Sequence, residues 1–83
     1  MSTDGRQQLT GYRLRDYDDA VATLGRSLEA QGITQTELGE RLGRHRQQIS
    51  PWILGDVEMR SRALFAVADA LGYDLALIPR EDA

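Results

Sequence analysis

Thr34-Gln35-Thr36-Glu37-Leu38-Gly39-Glu40-Arg41-Leu42-Gly43 runs straight into Arg44-His45-Arg46-Gln47-Gln48-Ile49-Ser50-Pro51-Trp52-Ile53-Leu54-Gly55, and these 22 residues decide the architecture. Thr34 and Glu37 have the spacing of a capping box, in which each side chain satisfies an orphan amide of a helix start. Ile33 and Leu38 flank that cap at the positions of a hydrophobic staple. The helix so begun passes through Leu38 and Leu42 and stops at Gly43, which can take the positive φ that reverses a chain. Six residues after Gly43, Ile49 opens a second apolar stripe with Trp52 and Ile53 at i+3 and i+4, and it ends at Leu54-Gly55. Gly39 is read as the point where the second helix crosses the first too closely for any larger side chain.

Two short helices joined by a glycine-containing turn have the layout of a helix-turn-helix. Upstream, Tyr17, Ala20, Val21, Leu24 and Leu28 form one stripe of an amphipathic helix over about residues 17–31. Asp16 is its expected N-cap, Asp18 and Asp19 suit the positive end of the dipole, and Gly32 is its stop. Downstream, Leu64, Val67, Ala68 and Leu71 make the stripe of a fourth helix within 61–71, ended by Gly72. Tyr73-Asp74-Leu75-Ala76-Leu77-Ile78 reads as a strand stopped by Pro79. Residues 1–10 are read as a flexible tail, and 11–83 as one domain holding the motif at 34–55 and the strand at 73–78. Gly11-Tyr12-Arg13-Leu14-Arg15 has two readings, a short strand or a basic arm that contacts DNA.

The chain has 83 residues, 41% hydrophobic and 28% charged, and no cysteine. That is enough for one small core and excludes disulfides and thiolate metal sites, while the lone His45 cannot build a metal site unaided. Self-association is the expected source of extra stability. No apolar run is long enough to span a membrane, and a cytoplasmic location is expected. The net charge is −3, but it is unevenly placed. Residues 41–62 hold Arg41, Arg44, Arg46, Arg60 and Arg62 against Asp56 and Glu58 only, and both flanks are acidic. No cofactor is expected. Neither a phosphate-cradling glycine loop nor a nucleophile or carboxylate suitably paired with His45 is present, so the chain is not expected to be an enzyme.

If Ile49 and Trp52 anchor the second motif helix, its first turn faces outward with Arg46, Gln47 and Gln48. Arginine pairs with guanine O6 and N7, glutamine with adenine N6 and N7, and this turn is the part of the motif that reaches base edges. Trp52 is read as core, and His45 as an exposed turn residue. Residues 34–55 resemble the helix-turn-helix of the Xre/Cro and lambda-repressor family, and residues 17–71 resemble its helical order. The resemblance implies a mainly α fold, a four-helix Xre-type bundle, that binds a double-stranded DNA operator. It implies that Arg46, Gln47 and Gln48 read bases and that Pro51 touches a thymine methyl group. Gln35, Arg41, Arg44, Arg60 and Arg62 would hold phosphates, although Arg60 and Arg62 also fit an ordinary solvated helix end. The sequence departs from the family pattern at Leu54, where a polar residue often precedes the glycine, and at Pro51. Either Pro51 lies inside a helix that begins at Arg46, or Ser50 caps a shorter helix that Pro51 opens.

A single strand leaves its backbone groups unpaired and gives Tyr73, Leu75 and Leu77 one face to bury. Pairing with the same strand of a second subunit answers both needs, and residues 11–15 offer a second partner. The Leu-Gly-Tyr-Asp-Leu-Ala-Leu ending resembles that of HipB-type antitoxins, whose strands join across a dimer. The expected function is therefore a homodimeric transcriptional repressor of a pseudo-palindromic operator, of phage, prophage or bacterial type, acting by occlusion. The alternative is an antitoxin that binds a toxin protein and regulates its own operon.

Overall fold

A computed structural model describes residues 11–80, which form four helices: α1 Tyr17–Ala30, α2 Gln35–Leu42, α3 Arg46–Leu54 and α4 Ser61–Ala70. The tail expected over residues 1–10 lies outside the described residues. Each of the first three helices starts on a side-chain cap. Asp16 accepts the Asp19 amide at 2.8 Å, and the acidic first turn of Asp18 and Asp19 faces the positive end of the α1 dipole. Thr34 and Glu37 form the reciprocal box at 3.0 and 2.8 Å. Gly43 closes α2 in the left-handed conformation, with φ of 68°, which a side chain would resist.

The predicted stripes meet in one core. Val21, Leu24 and Leu28 from α1 pack with Leu38, Ile49, Val67, Ala68 and Leu71, and Leu38, Ile49 and Val67 are wholly enclosed. Met59, in the connection before α4, is also buried and has no place in any helical stripe. Its amide donates to the Tyr17 hydroxyl at 2.6 Å, so the start of α1 holds the approach to α4. Thr23 and Ser27 are the buried polar residues of α1. Ser27 shares a hydrogen bond with the Tyr73 hydroxyl, and Gln31 donates to the Leu71 carbonyl at 2.9 Å.

One alternative left open by the sequence closes, and one expected element does not form in a single copy. Pro51 sits inside a single helix that starts at Arg46, so Ser50 does not cap a separate one. Proline carries no N–H, and α3 therefore runs on without the bond that residue 51 would give to the Gln47 carbonyl. The strand expected at 73–78 is not formed in a single copy: among the described residues none is in a strand, and residues 11–15 form none either. Tyr73 packs on the core and meets Tyr12 edge-on, with ring centroids 6.1 Å apart. Beyond it the chain leaves the bundle, and Leu77 is fully exposed at 101%. A strand exists only through its ladder, and a single copy of this segment has no neighbouring strand to supply one.

Candidate nucleic-acid interface

Helices α2 and α3 are set against each other by the turn between them. A Cβ at Gly39 would overlap the Arg44 carbonyl oxygen, and the Arg44 amide donates back to the Gly39 carbonyl at 2.8 Å. The close approach at Gly39 is thus real, but it is made by the turn backbone before α3 and not by the second helix itself. Glu37 in the same helix is held below the usual carboxylate range, first by the Thr34 amide, then by the Thr34 hydroxyl and the Arg41 charge.

The start of α3 is fixed by a second reciprocal cap that sequence reading missed. The Gln47 amide donates to His45 Nδ1 at 3.1 Å, and the His45 amide donates to Gln48 Oε1 at 3.2 Å. Histidine is outside the usual set of N-cap residues, which hid it, but the His45-x-x-Gln48 spacing was the available signal. Gln48 consequently spends its carbonyl oxygen on the cap. Arg46 and Gln47 remain exposed in the first turn, above an Ile49 that is completely buried.

The outward face of α3 is a shallow concavity lined by Arg46, Gln47, Ser50, Pro51, Leu54 and Asp56. Arg46, Gln47 and Pro51 were expected there. Ser50 and Leu54 were not, although they lie four and eight residues from Arg46 on one helical ridge. Asp56 is brought in by the turn after Gly55, where its amide donates to the Pro51 carbonyl at 2.9 Å.

The arginines separate into two groups. Arg41 Nη1 donates to the Ala70 carbonyl at 2.8 Å and ties α2 to the end of α4. Arg44 lies over the Trp52 ring, 5.1 Å from its centroid, and shares a groove with Arg60 and Arg62 at the start of α4. Trp52 is half-buried, so it is core on one side and a platform for Arg44 on the other. Gln35 is the first residue of α2 and half-buried. Arg44, Arg60, Arg62 and the first turn of α3 all expose cationic or amide groups around the helix pair.

A family model described as helix-turn-helix matches residues 24–78, which spans the last part of α1, both motif helices, α4 and the segment after it. The chain belongs to the helix-turn-helix family. It is of the Xre and lambda-repressor type, and this helix-turn-helix protein is a DNA-binding regulator. Searches of curated proteins and of solved structures each find no match. Within the described residues, no helix of the helix-turn-helix protein is long and apolar enough to cross a membrane.

Proposed function

We propose that the protein is a dimeric, cytoplasmic and non-catalytic repressor that occupies a pseudo-palindromic operator. The observation that carries the reading is the start of α3: Arg46 and Gln47 are exposed side by side on a turn rigidly held by the His45–Gln48 cap and the buried Ile49. In this reading both side chains contact base edges. Pro51 lies beside them, and Gln48 acts chiefly by holding the turn. Gln35, Arg44, Arg60 and Arg62 contact phosphates, which fix register without reading sequence. Arg41 contributes positive charge while bracing α4. Two copies joined through residues 73–78 would present two α3 helices about 34 Å apart, one turn of B-DNA.

Selection of binding sites from random duplex DNA at moderate salt tests this reading. The expected result is a two-fold symmetric site with half-sites about 10 base pairs apart. Absence of any enriched site from folded protein would sink it. A second reading, an antitoxin that also regulates its operon, is favoured by the exposed apolar side chains Leu75, Leu77 and Ile78, which a toxin protein could cover as well as a second copy. A stoichiometric partner that covers these residues would decide for it.

A further inference from the structure

We propose that Trp52 is a positioning residue for DNA binding: its ring holds the Arg44 guanidinium by one face and leaves the edge to clasp a phosphate. This rests on the phosphate contact assigned to Arg44 in the operator-binding reading above. Arg44 is held at both ends. Its backbone is fixed by the turn, where its amide donates to the Gly39 carbonyl at 2.8 Å. Its guanidinium carbon lies over the Trp52 ring, 5.1 Å from the centroid and within cation–π range. Other arginines are occupied differently: Arg15, Arg26 and Arg41 direct their guanidinium groups to Asp19, Thr23 and the Ala70 carbonyl. Among the described residues nothing accepts a hydrogen bond from the Arg44 guanidinium, and Glu58, which lines the same groove, forms no ion pair with it.

A guanidinium is planar, and all of its N–H donors lie in that plane. Stacked by its face on an aromatic ring it gives up none of them, because each N–H points outward along the edge. That edge is the part that meets two phosphate oxygens at once. The ring therefore fixes the head of a long side chain without competing with the phosphate. An unsupported arginine is ordered only when DNA arrives, and that ordering weakens binding. The core alone does not call for an exposed ring at position 52. Leu38, Ile49 and Val67 fill its centre, while Trp52 packs on the cluster with one side and lines the groove of Arg44, Arg60 and Arg62 with the other.

The experiment is a double-mutant cycle on the full chain, read as affinity for the selected site and for a random duplex. The native protein is compared with Arg44→Gln, Trp52→Leu and the double variant. Trp52→Leu is expected to weaken binding roughly two- to ten-fold, the range for ordering one long side chain. The loss should be equal on both duplexes, since a phosphate contact carries no sequence information. In the Arg44→Gln background the same replacement should change nothing further. Equal losses in the two backgrounds would show that Trp52 acts only through the fold and overturn the proposal, as would no loss in the native background. Trp52→Phe is measured beside it, because it keeps a smaller ring face and more of the packing. Its loss should be smaller and again confined to chains that carry Arg44, and this cycle decides if Trp52→Leu does not fold. Trp52 is the chain's single tryptophan, so its fluorescence reports the stack before DNA is added. Arg44→Gln should change that emission, and an unchanged emission overturns the stack and the proposal with it. The random-duplex arm needs no selected site. If no site is enriched, the operator reading fails while the cycle on random duplex still decides the role of Trp52. If a site is enriched and the cycle shows no coupling, only the role of Trp52 fails.

Discussion

Two glycines in neighbouring helices should respond in opposite ways to the same added methyl group. At Gly39 the new Cβ would overlap a backbone carbonyl, that of Arg44, which cannot rotate away as a side chain would. Gly39→Ala is expected to cost about 1–3 kcal/mol in urea unfolding and to displace the turn that sets Arg46. At Gly25, inside α1, the Cβ would meet only Ile53 Cγ2 at 3.7 Å, an ordinary contact. Gly25→Ala should therefore stabilise by roughly 0.5–1 kcal/mol through helix propensity. Equal effects at the two positions would show that Gly39 is not a close-approach site. Arg46 allows a separate prediction, because its worth is in binding. Arg46→Ala should lose about 1–3 kcal/mol on the selected site with preference relaxed at one position. An equal loss on random DNA would make it a phosphate contact. Gly39 and Arg46 were both legible in the sequence, since one is the lone small residue between two leucines and the other opens an exposed turn. What the sequence could not give is the partner of Gly39, because which backbone atom approaches depends on how the turn folds back.

Helix starts and stops carry their own reasons, and two of them give measurable handles. The Thr34–Glu37 box satisfies two amides of α2, so Thr34→Ala should destabilise by about 1 kcal/mol. Glu37 has its pKa lowered, chiefly by the Thr34 amide, so the folded state binds a proton there less readily than the unfolded chain. Its stabilising contribution is complete above the ordinary glutamate range and is lost as pH falls through the lower folded value. Glu37→Gln should flatten the acid limb of stability against pH, and an unaltered limb would exclude Glu37 as its source. Pro51 gives the reverse expectation. Alanine at 51 restores an N–H facing the Gln47 carbonyl within α3, and Pro51→Ala should raise stability by about 1–3 kcal/mol in thermal or urea unfolding. A loss instead would mean that the surrounding turn relies on the proline ring. The boundaries of these helices were readable because caps, stripes and glycine stops are local. The strand at 73–78 was not, because alternation of Tyr73, Leu75 and Leu77 says which side chains share a face but not whether another strand lies beside them. Tyr73 turned inward to Ser27, and the residues after it found no ladder.

Across the whole chain, a net charge of −3 coexists with five arginines between residues 41 and 62. A regulator built this way gains little from general attraction to DNA, and it gains more from presenting its basic surface twice. The C-terminal segment is where a second copy would attach. Leu75, Leu77 and Ile78 are exposed, as are Tyr12 and Leu14, and the backbone from Tyr73 to Arg80 forms no ladder among the described residues. Burying those side chains in a two-fold strand pair would satisfy the backbone and the apolar surface together. A cut after Asp74 tests this better than one at Gly72, because it keeps Tyr73 and its hydrogen bond to Ser27. The full chain is expected to sediment as a dimer and the shortened chain as a monomer, with closely similar thermal transitions. Operator affinity should then drop sharply for the shortened chain, since one helix-turn-helix would have to hold its half-site alone. A shortened chain that is still dimeric would move the interface elsewhere, and the exposed Phe65 on α4 would be the first residue to replace. A full chain that is monomeric at operator-saturating concentration would remove the dimer from the reading, and the selected site should then be a single, asymmetric half-site.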